Sequence, residues 1–201
     1  MEISKVGVIG AGQMGSGIAH VFALAGYDVV LNDISDEALD RAMEQIREGL
    51  DRQLARDKIA AEDRDAALKR IAAGTDIAAA GDTDLVIEAA TEDEQLKHKI
   101  FKNLAPHLRD NTILTSNTSS ISITRLASGT DRPERFMGFH FMNPVPVMQL
   151  VELIRGIATD QETYDSCLGV VERLGKTAAS AEDFPAFIVN RILMPMINEA
   201  V

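Results

Sequence analysis

Cysteine, tryptophan and positive charge are what this sequence has least of. Cys167 is the single cysteine, there is no tryptophan, and aromatic residues make up 4% of the 201 residues. One thiol excludes an internal disulfide framework and fits a reducing compartment. With so few rings, the core has to come from Ile, Leu, Val, Ala and Met. Lys and Arg number 20 against 31 Asp and Glu, a formal charge of −11. That balance argues against nucleic acid as a partner, because binding phosphate backbones needs a positive face. No apolar run approaches membrane-spanning length, and MEISKVGVIG lacks both a basic segment before an apolar one and an Arg/Ser-rich leader. The expectation is a soluble, cytoplasmic protein with no membrane partner. His20, His98, His107 and His140 show no ligand spacing, so no metal is expected.

What is present is a core-forming composition, 46% hydrophobic and 25% charged, enough for one good-sized domain. Short apolar runs predict strands at Lys5–Ile9, Asp28–Asn32, Asp84–Glu88, Thr112–Ser116, Arg135–Phe141 and Gln149–Ile154. Helical stretches fall between them: 16–25, a charged one over 36–56 with Ser35 as N-cap, and 62–73. Capping boxes at Thr91–Glu94 and Thr159–Glu162 open two more, and a last helix runs from Pro185 to the end. Strands alternating with helices at this spacing predict a doubly wound, mostly parallel α/β sheet with a helical arm over about 36–73.

GVIGAGQMGSGIAH places Gly10, Gly12 and Gly15 directly after the first strand and at the start of a helix, with Gln13 and Met14 between. Gly10 permits the tight turn, Gly12 the approach of a pyrophosphate, and Gly15 close helix–strand packing; the helix N-terminus presents free N–H groups. Asp33 closes the second strand, where a carboxylate can accept bonds from the adenosine ribose hydroxyls and repel a 2′-phosphate. No Arg or Lys follows in Ile34–Glu37. The unit is therefore Rossmann-like, and NAD rather than NADP is the expected cofactor.

A dinucleotide fold names no reaction. The chemical candidates are polar residues set among apolar ones: Ser119, His140, Asn143, Glu152 and Asn190. Glu152 sits at an inward position of an apolar strand, where a lone carboxylate is costly and an imidazole is a natural partner. Such a pair would leave one ring nitrogen to exchange a proton with substrate. Taken singly, each residue also fits a plain structural role.

The ordered set GVIGAGQMGSGIA, VIEAATEDEQLKHKIF, SNTSSISI, GFHFMNPVPVMQLVE and PAFIVNRILMPMINEA resembles the 3-hydroxyacyl-CoA dehydrogenase family, in particular its bacterial 3-hydroxybutyryl-CoA dehydrogenases, over essentially the whole chain. The resemblance implies His140 as general acid/base and Glu152 as its orienting carboxylate. It implies Ser119 at the substrate C3 oxygen, Asn190 positioning the acyl group, and Asn143 beside the nicotinamide ribose. Asp33, Glu92, Lys97 and Asn117 would serve the cofactor, and the arm around Gly49 and Arg56 the CoA portion. Arg52 and Arg56, with Lys58 nearby, could hold CoA phosphates on an otherwise acidic protein, or form a solvated patch paired with Asp51 and Asp57. The family continues into an all-helical, dimerising domain. The expected division is thus 1–184, dinucleotide-binding, and 185–201, the first helix of that second domain cut short. Phe187, Ile188, Leu193 and Met194 are expected on an exposed, self-associating face, and the full-length protein as a homodimer. Two rival readings are a dehydrogenase of a sugar acid such as L-gulonate, and an NAD-binding module without turnover.

Overall fold

The computed structural model describes residues 2–201. Its elements run β1 (Lys5–Ile9), α1 (Gln13–Leu24), β2 (Asp28–Asn32), α2 (Asp36–Leu54), α3 (Ala61–Lys69), β3 (Ile71–Gly74), β4 (Leu85–Glu88), α4 (Glu94–Leu104), β5 (Ile113–Ser116), α5 (Ile123–Ser128), β6 (Phe136–Phe141), β7 (Leu150–Arg155), α6 (Gln161–Arg173), β8 (Thr177–Glu182) and α7 (Val189–Glu199). One eight-stranded sheet has the order β3-β2-β1-β4-β5-β6-β7-β8. Its neighbours are parallel except β6 and β7, which pair antiparallel. The order reverses between β1 and β4, and in such sheets ligands bind in the crevice outside the strand ends at that point.

The sheet is buried on both faces. On one, Phe22 of α1 packs against Tyr27, Phe139 and Phe141 at centroid distances of 5.2, 6.4 and 6.2 Å. On the other, Phe101 and Leu104 of α4 meet Phe136, Leu126 and Ile154. Successive strand residues point to opposite faces, so within β6 Phe139 and Phe141 join the first layer while Phe136 and His140 face the second. On β7, Val151 and Leu153 fill the first layer, which leaves Glu152 on the same face as His140.

Two strands escape the apolar-run pattern. β3 (IAAG) and β8 (TAASAE) are alanine-rich and half exposed. They are strands because β2 and β7 offer them free edges to pair with, and packing context outranks weak β-propensity. The helix expected over 62–73 therefore ends at Lys69. The expected threonine caps are corrected to aspartates: Asp93 accepts from the Leu96 N–H at 2.8 Å and Asp160 from the Thr163 N–H at 2.7 Å. Ser35 caps α2 as expected, accepting from the Ala38 N–H. The last helix begins at Val189 rather than Pro185, after Ala186 and Phe187 in left-handed backbone conformations. Phe187 is buried at 4% exposure, contrary to expectation, whereas Leu193 and Met194 are exposed. No helix among the described residues is long and apolar enough to cross a membrane.

Candidate active site

The dinucleotide turn is built by sterics. Gly10 has φ 105°, and a Cβ there would lie 2.8 Å from the Ala89 carbonyl oxygen. A Cβ on Gly15 would fall 1.7 Å from the Gly10 carbonyl oxygen, whereas one on Gly12 meets nothing within 4 Å. The first and third glycines are thus filled by the protein's own backbone and the second faces open space. α1 begins there at Gln13, followed by Met14, with no side-chain cap and no acid in its first turn, so its N–H groups remain for an anion. Asp33 is fixed by the Ala11 N–H at 2.7 Å and the Ser35 N–H at 3.1 Å. These features fit a pyrophosphate on the turn and a ribose at the carboxylate.

Across the crevice, the antiparallel register sets His140 of β6 directly opposite Glu152 of β7. Cross-strand neighbours on one face lie within side-chain reach, and His140 Nδ1 is 2.7 Å from Glu152 Oε2. A carboxylate can only accept, so Nδ1 carries the proton and Nε2 is left as the working nitrogen. Nε2 lies 3.2 Å from Ser119 Oγ. Glu152 is fully buried and His140 6% exposed. Burial opposes ionisation of Glu152, but the bonds from His140 and from the N–H groups of Val189 and Ile188 outweigh it and hold its carboxyl below the ordinary range. Asn190 completes the group, its amide donating to the Ser119 carbonyl at 3.2 Å.

The Ser119 loop is held from the cofactor side. Glu92 Oε1 accepts from Thr118 Oγ1 and from the N–H groups of Ser119 and Ser120 at 2.6, 2.8 and 3.1 Å. Asn117 accepts from the Phe141 N–H at 2.8 Å, tying the end of β5 to β6. Lys97 does not stand open to a ligand. Its side chain is 1% exposed, its ammonium bonds both oxygens of Glu88 at 2.8 and 2.7 Å, and Glu92 is 3.7 Å away. The reason is Glu88 itself, a fully buried carboxylate that needs a cation. A strand-end glutamate facing a lysine nine residues on was the signal in the sequence.

A cleft of about 560 Å³ opens between α1, the end of α2 and the loop 143–149. Asn143, Gly49, Arg52, Arg56 and Lys58 line it, so the arm residues do converge. Arg56 and Lys58 lie beyond the end of α2, so the three cations share a rim rather than one helix face. Arg52 pairs with Glu48 at 3.3 Å, and Asp51 pairs with Arg64 rather than with Arg52 or Arg56. Two residues that shape this cleft were not foreseen, His20 and Lys176. His20 lies in its wall with Nε2 3.3 Å from Gln53, and Gly49 leaves it room, since a Cβ there would be 2.9 Å from the ring. Lys176 donates to the carbonyls of Val145 and Met148 at 2.8 and 2.7 Å and so fixes the loop carrying Asn143. A second hollow of about 600 Å³, at Tyr27, Glu162 and Arg173, contains none of the residues singled out.

Residues 5–184 match the family model described as the NAD-binding domain of 3-hydroxyacyl-CoA dehydrogenase. The chain belongs to the 3-hydroxyacyl-CoA dehydrogenase family. It is 59% identical over 199 residues to a 3-hydroxybutyryl-CoA dehydrogenase of Bradyrhizobium diazoefficiens, covering 99% of this chain and 68% of that protein. Against a 3-hydroxyadipyl-CoA dehydrogenase of Escherichia coli it is 44% identical over 200 residues, covering 100% of this chain and 42% of that one. The crystal structure of an (S)-3-hydroxybutyryl-CoA dehydrogenase from Ralstonia eutropha superposes with a TM-score of 0.97 at 48% identity, covering 99% of this chain and 70% of that one. The chain is thus part of an NAD-dependent oxidoreductase, with the Rossmann-like unit and the cofactor that the glycine turn and Asp33 announced.

The site's ionisation predicts its acid sensitivity. Glu152, Glu92 and Asp183 all sit below the ordinary 4.5 and 3.8 of free carboxyls, because donors outweigh the opposing effect of burial. Unfolded, they bind protons more readily, so the stability they contribute is present above those ordinary values and lost as pH falls through the folded ones. Burial also holds His20 below 6.5, with Arg52 and Lys176 adding to it and the Gln53 bond opposing. That loss begins below about pH 6.5. The urea midpoint should therefore fall mildly from about pH 7 to 5 and steeply below about 4.5. A midpoint unchanged from about pH 7 to 3.5 would contradict this.

Proposed function

We propose that this protein oxidises (S)-3-hydroxyacyl-CoA to 3-oxoacyl-CoA, with 3-hydroxybutyryl-CoA as substrate, and reduces acetoacetyl-CoA in reverse. The observation that carries the reading is the 2.7 Å bond from His140 to buried Glu152, with Ser119 3.2 Å from the opposite ring nitrogen. NAD, when bound, supplies the two-electron acceptor. In oxidation the substrate's 3-hydroxyl sits beside this pair, within hydrogen-bond reach of both Ser119 Oγ and His140 Nε2. Nε2 takes the hydroxyl proton as C3 gives up its hydrogen with the bonding electron pair, and a C3=O double bond forms. The new imidazolium charge is met by Glu152, whose low pKa keeps it ionised for that purpose. In reduction His140 returns the proton to the C3 oxygen, which Ser119 steadies. Asn190 fixes the Ser119 backbone and borders the acyl group. Asp33, Glu92, Lys97 and Asn117 serve the cofactor directly or through the loop they hold, and Asn143 borders its ribose. Loss of NADH absorbance at 340 nm on adding acetoacetyl-CoA tests the reading, and no loss with any 3-oxoacyl-CoA contradicts it.

The cleft at Gly49 and Arg56 takes the CoA portion, its phosphates meeting Arg52, Arg56 and Lys58. Arg56→Ala is expected to raise KM for acetoacetyl-CoA about tenfold in low salt and less in high salt, with KM for NADH unchanged. An unchanged acyl-CoA KM would remove the arm from the site. A sugar-acid substrate such as L-gulonate has no phosphate for these cations, and its kcat/KM is expected to be far lower. Ile192, Leu193, Met194 and Met196 leave an apolar face exposed on α7. Residues 185–201 belong, on this reading, to a helical unit that packs there in the dimeric enzyme. Concentrated protein should therefore self-associate, and a clean monomer in light scattering would contradict this.

A further inference from the structure

The segment joining β8 to α7 is an unusual piece of backbone. Ala186 (φ 66°) and Phe187 (φ 50°) are consecutive non-glycine residues in the left-handed region. Such a conformation persists only where surrounding contacts over-determine it. Those contacts are on the catalytic group. Phe187 is 4% exposed, and its ring meets the His140 ring edge-on, at a centroid distance of 6.2 Å and 61° between planes. The N–H groups of Ile188 and Val189 both donate to Glu152 Oε1 at 2.9 Å, on the oxygen that His140 does not use. Asn190 reaches the Ser119 carbonyl. Upstream, Asp183 is anchored by Ser122 Oγ and the N–H groups of Ile123 and Thr124 at 2.7, 2.9 and 2.8 Å. α7 has no side-chain N-cap of its own, so Glu152 satisfies donors that would otherwise be orphaned.

Four consecutive residues, 187–190, thus touch each of His140, Glu152 and Ser119. We propose that Phe187 and the first turn of α7 are the positioning element of the acid/base pair. The two amides lock the Glu152 carboxylate against rotation, so that its second oxygen stays on His140 Nδ1, and the Phe187 ring holds the imidazole plane and keeps water from it. Glu152 has a second role as the cap of α7, and seating of that helix completes the catalytic group. Lifting α7 frees the carboxylate and releases the histidine. Phe187 acts through His140 and is a positioning residue, not a catalytic one.

The proposal rests on His140 and Glu152 being the acid/base pair, so its test carries a readout independent of turnover. In the wild-type protein the Nδ1 proton of His140 should be a slowly exchanging downfield NMR signal, assigned by its loss in His140→Ala. Phe187→Ala should speed its exchange at least about tenfold and lower kcat about ten- to a hundredfold, with KM for NADH within about twofold. Phe187→Leu, which refills the space, should restore both. Should Phe187→Ala fail to fold, Glu152→Gln answers the same question: a weaker acceptor should speed amide exchange at Ile188 and Val189 about tenfold while Ile123, held by Asp183, is unchanged. Wild-type exchange and kcat in Phe187→Ala, or unchanged Ile188 and Val189 amides in Glu152→Gln, would overturn the positioning role while an inactive His140→Ala left the catalytic reading intact. An active His140→Ala would overturn both.

Discussion

Replacing His140 with alanine is expected to lower kcat by about two to four orders of magnitude while leaving NAD affinity within about twofold. The size of the effect follows from what the ring does. A hydride can leave C3 only as the hydroxyl proton is removed, and Nε2 is the basic atom within reach of the Ser119 hydroxyl. The split between kcat and cofactor binding follows from distance in the fold. His140 sits on β6, beyond β4 and β5 from the glycine turn on β1, and nothing in that turn leans on it. Removing the ring also leaves Glu152 buried without its main side-chain partner, so some stability is lost as well. Glu152 keeps the two α7 amides, and the protein should still fold. Calorimetry with NAD beside the 340 nm assay separates the two effects. Near-normal turnover would end the acid/base assignment.

The second large effect is at Gly15. Its missing Cβ would lie 1.7 Å from a backbone oxygen of Gly10, which is itself pinned by the Asn32 carbonyl through its N–H at 2.7 Å. Backbone on both sides cannot give way as a side-chain tip can. Gly15→Ala should therefore push α1 off β1, costing more than about 3 kcal/mol in urea unfolding and weakening NAD binding more than about a hundredfold. Gly12→Ala makes the contrast. Its Cβ meets no protein atom within 4 Å, so stability should stay within about 1 kcal/mol while NAD binding is lost where the pyrophosphate would have approached. Equal stability losses in the two variants would contradict the separate roles given to these glycines.

Much of this is legible in the sequence, and the reasons are local. The glycine turn and Asp33 are tied to strand ends by short-range sterics, and β1, β2, β4 and β5 are runs that only a doubly covered sheet can bury. The His140–Glu152 pair was legible because a carboxylate inside an apolar strand demands a partner. Its geometry was not, since it depends on β7 turning back antiparallel on β6. β3 and β8 stayed hidden because alanine carries no strand signal and only a neighbour's free edge makes them strands. The bond from Lys97 to Glu88 was not legible for an electrostatic reason: a lysine on an amphipathic helix gives no sign of the buried carboxylate beneath it. Phe187 was expected on an outer face because the helix was started at Pro185, whereas Ala186 and Phe187 take left-handed conformations that carry the ring onto His140.

The account turns on which nitrogen of His140 holds the proton. Nitrogen-15 NMR on histidine-labelled protein reads this without requiring turnover. Nδ1 should resonate as the protonated nitrogen and Nε2 as the bare one, and acetoacetyl-CoA added with NAD should perturb Nε2 far more than Nδ1. A bare Nδ1, or a ring indifferent to both ligands, would contradict the account at its centre.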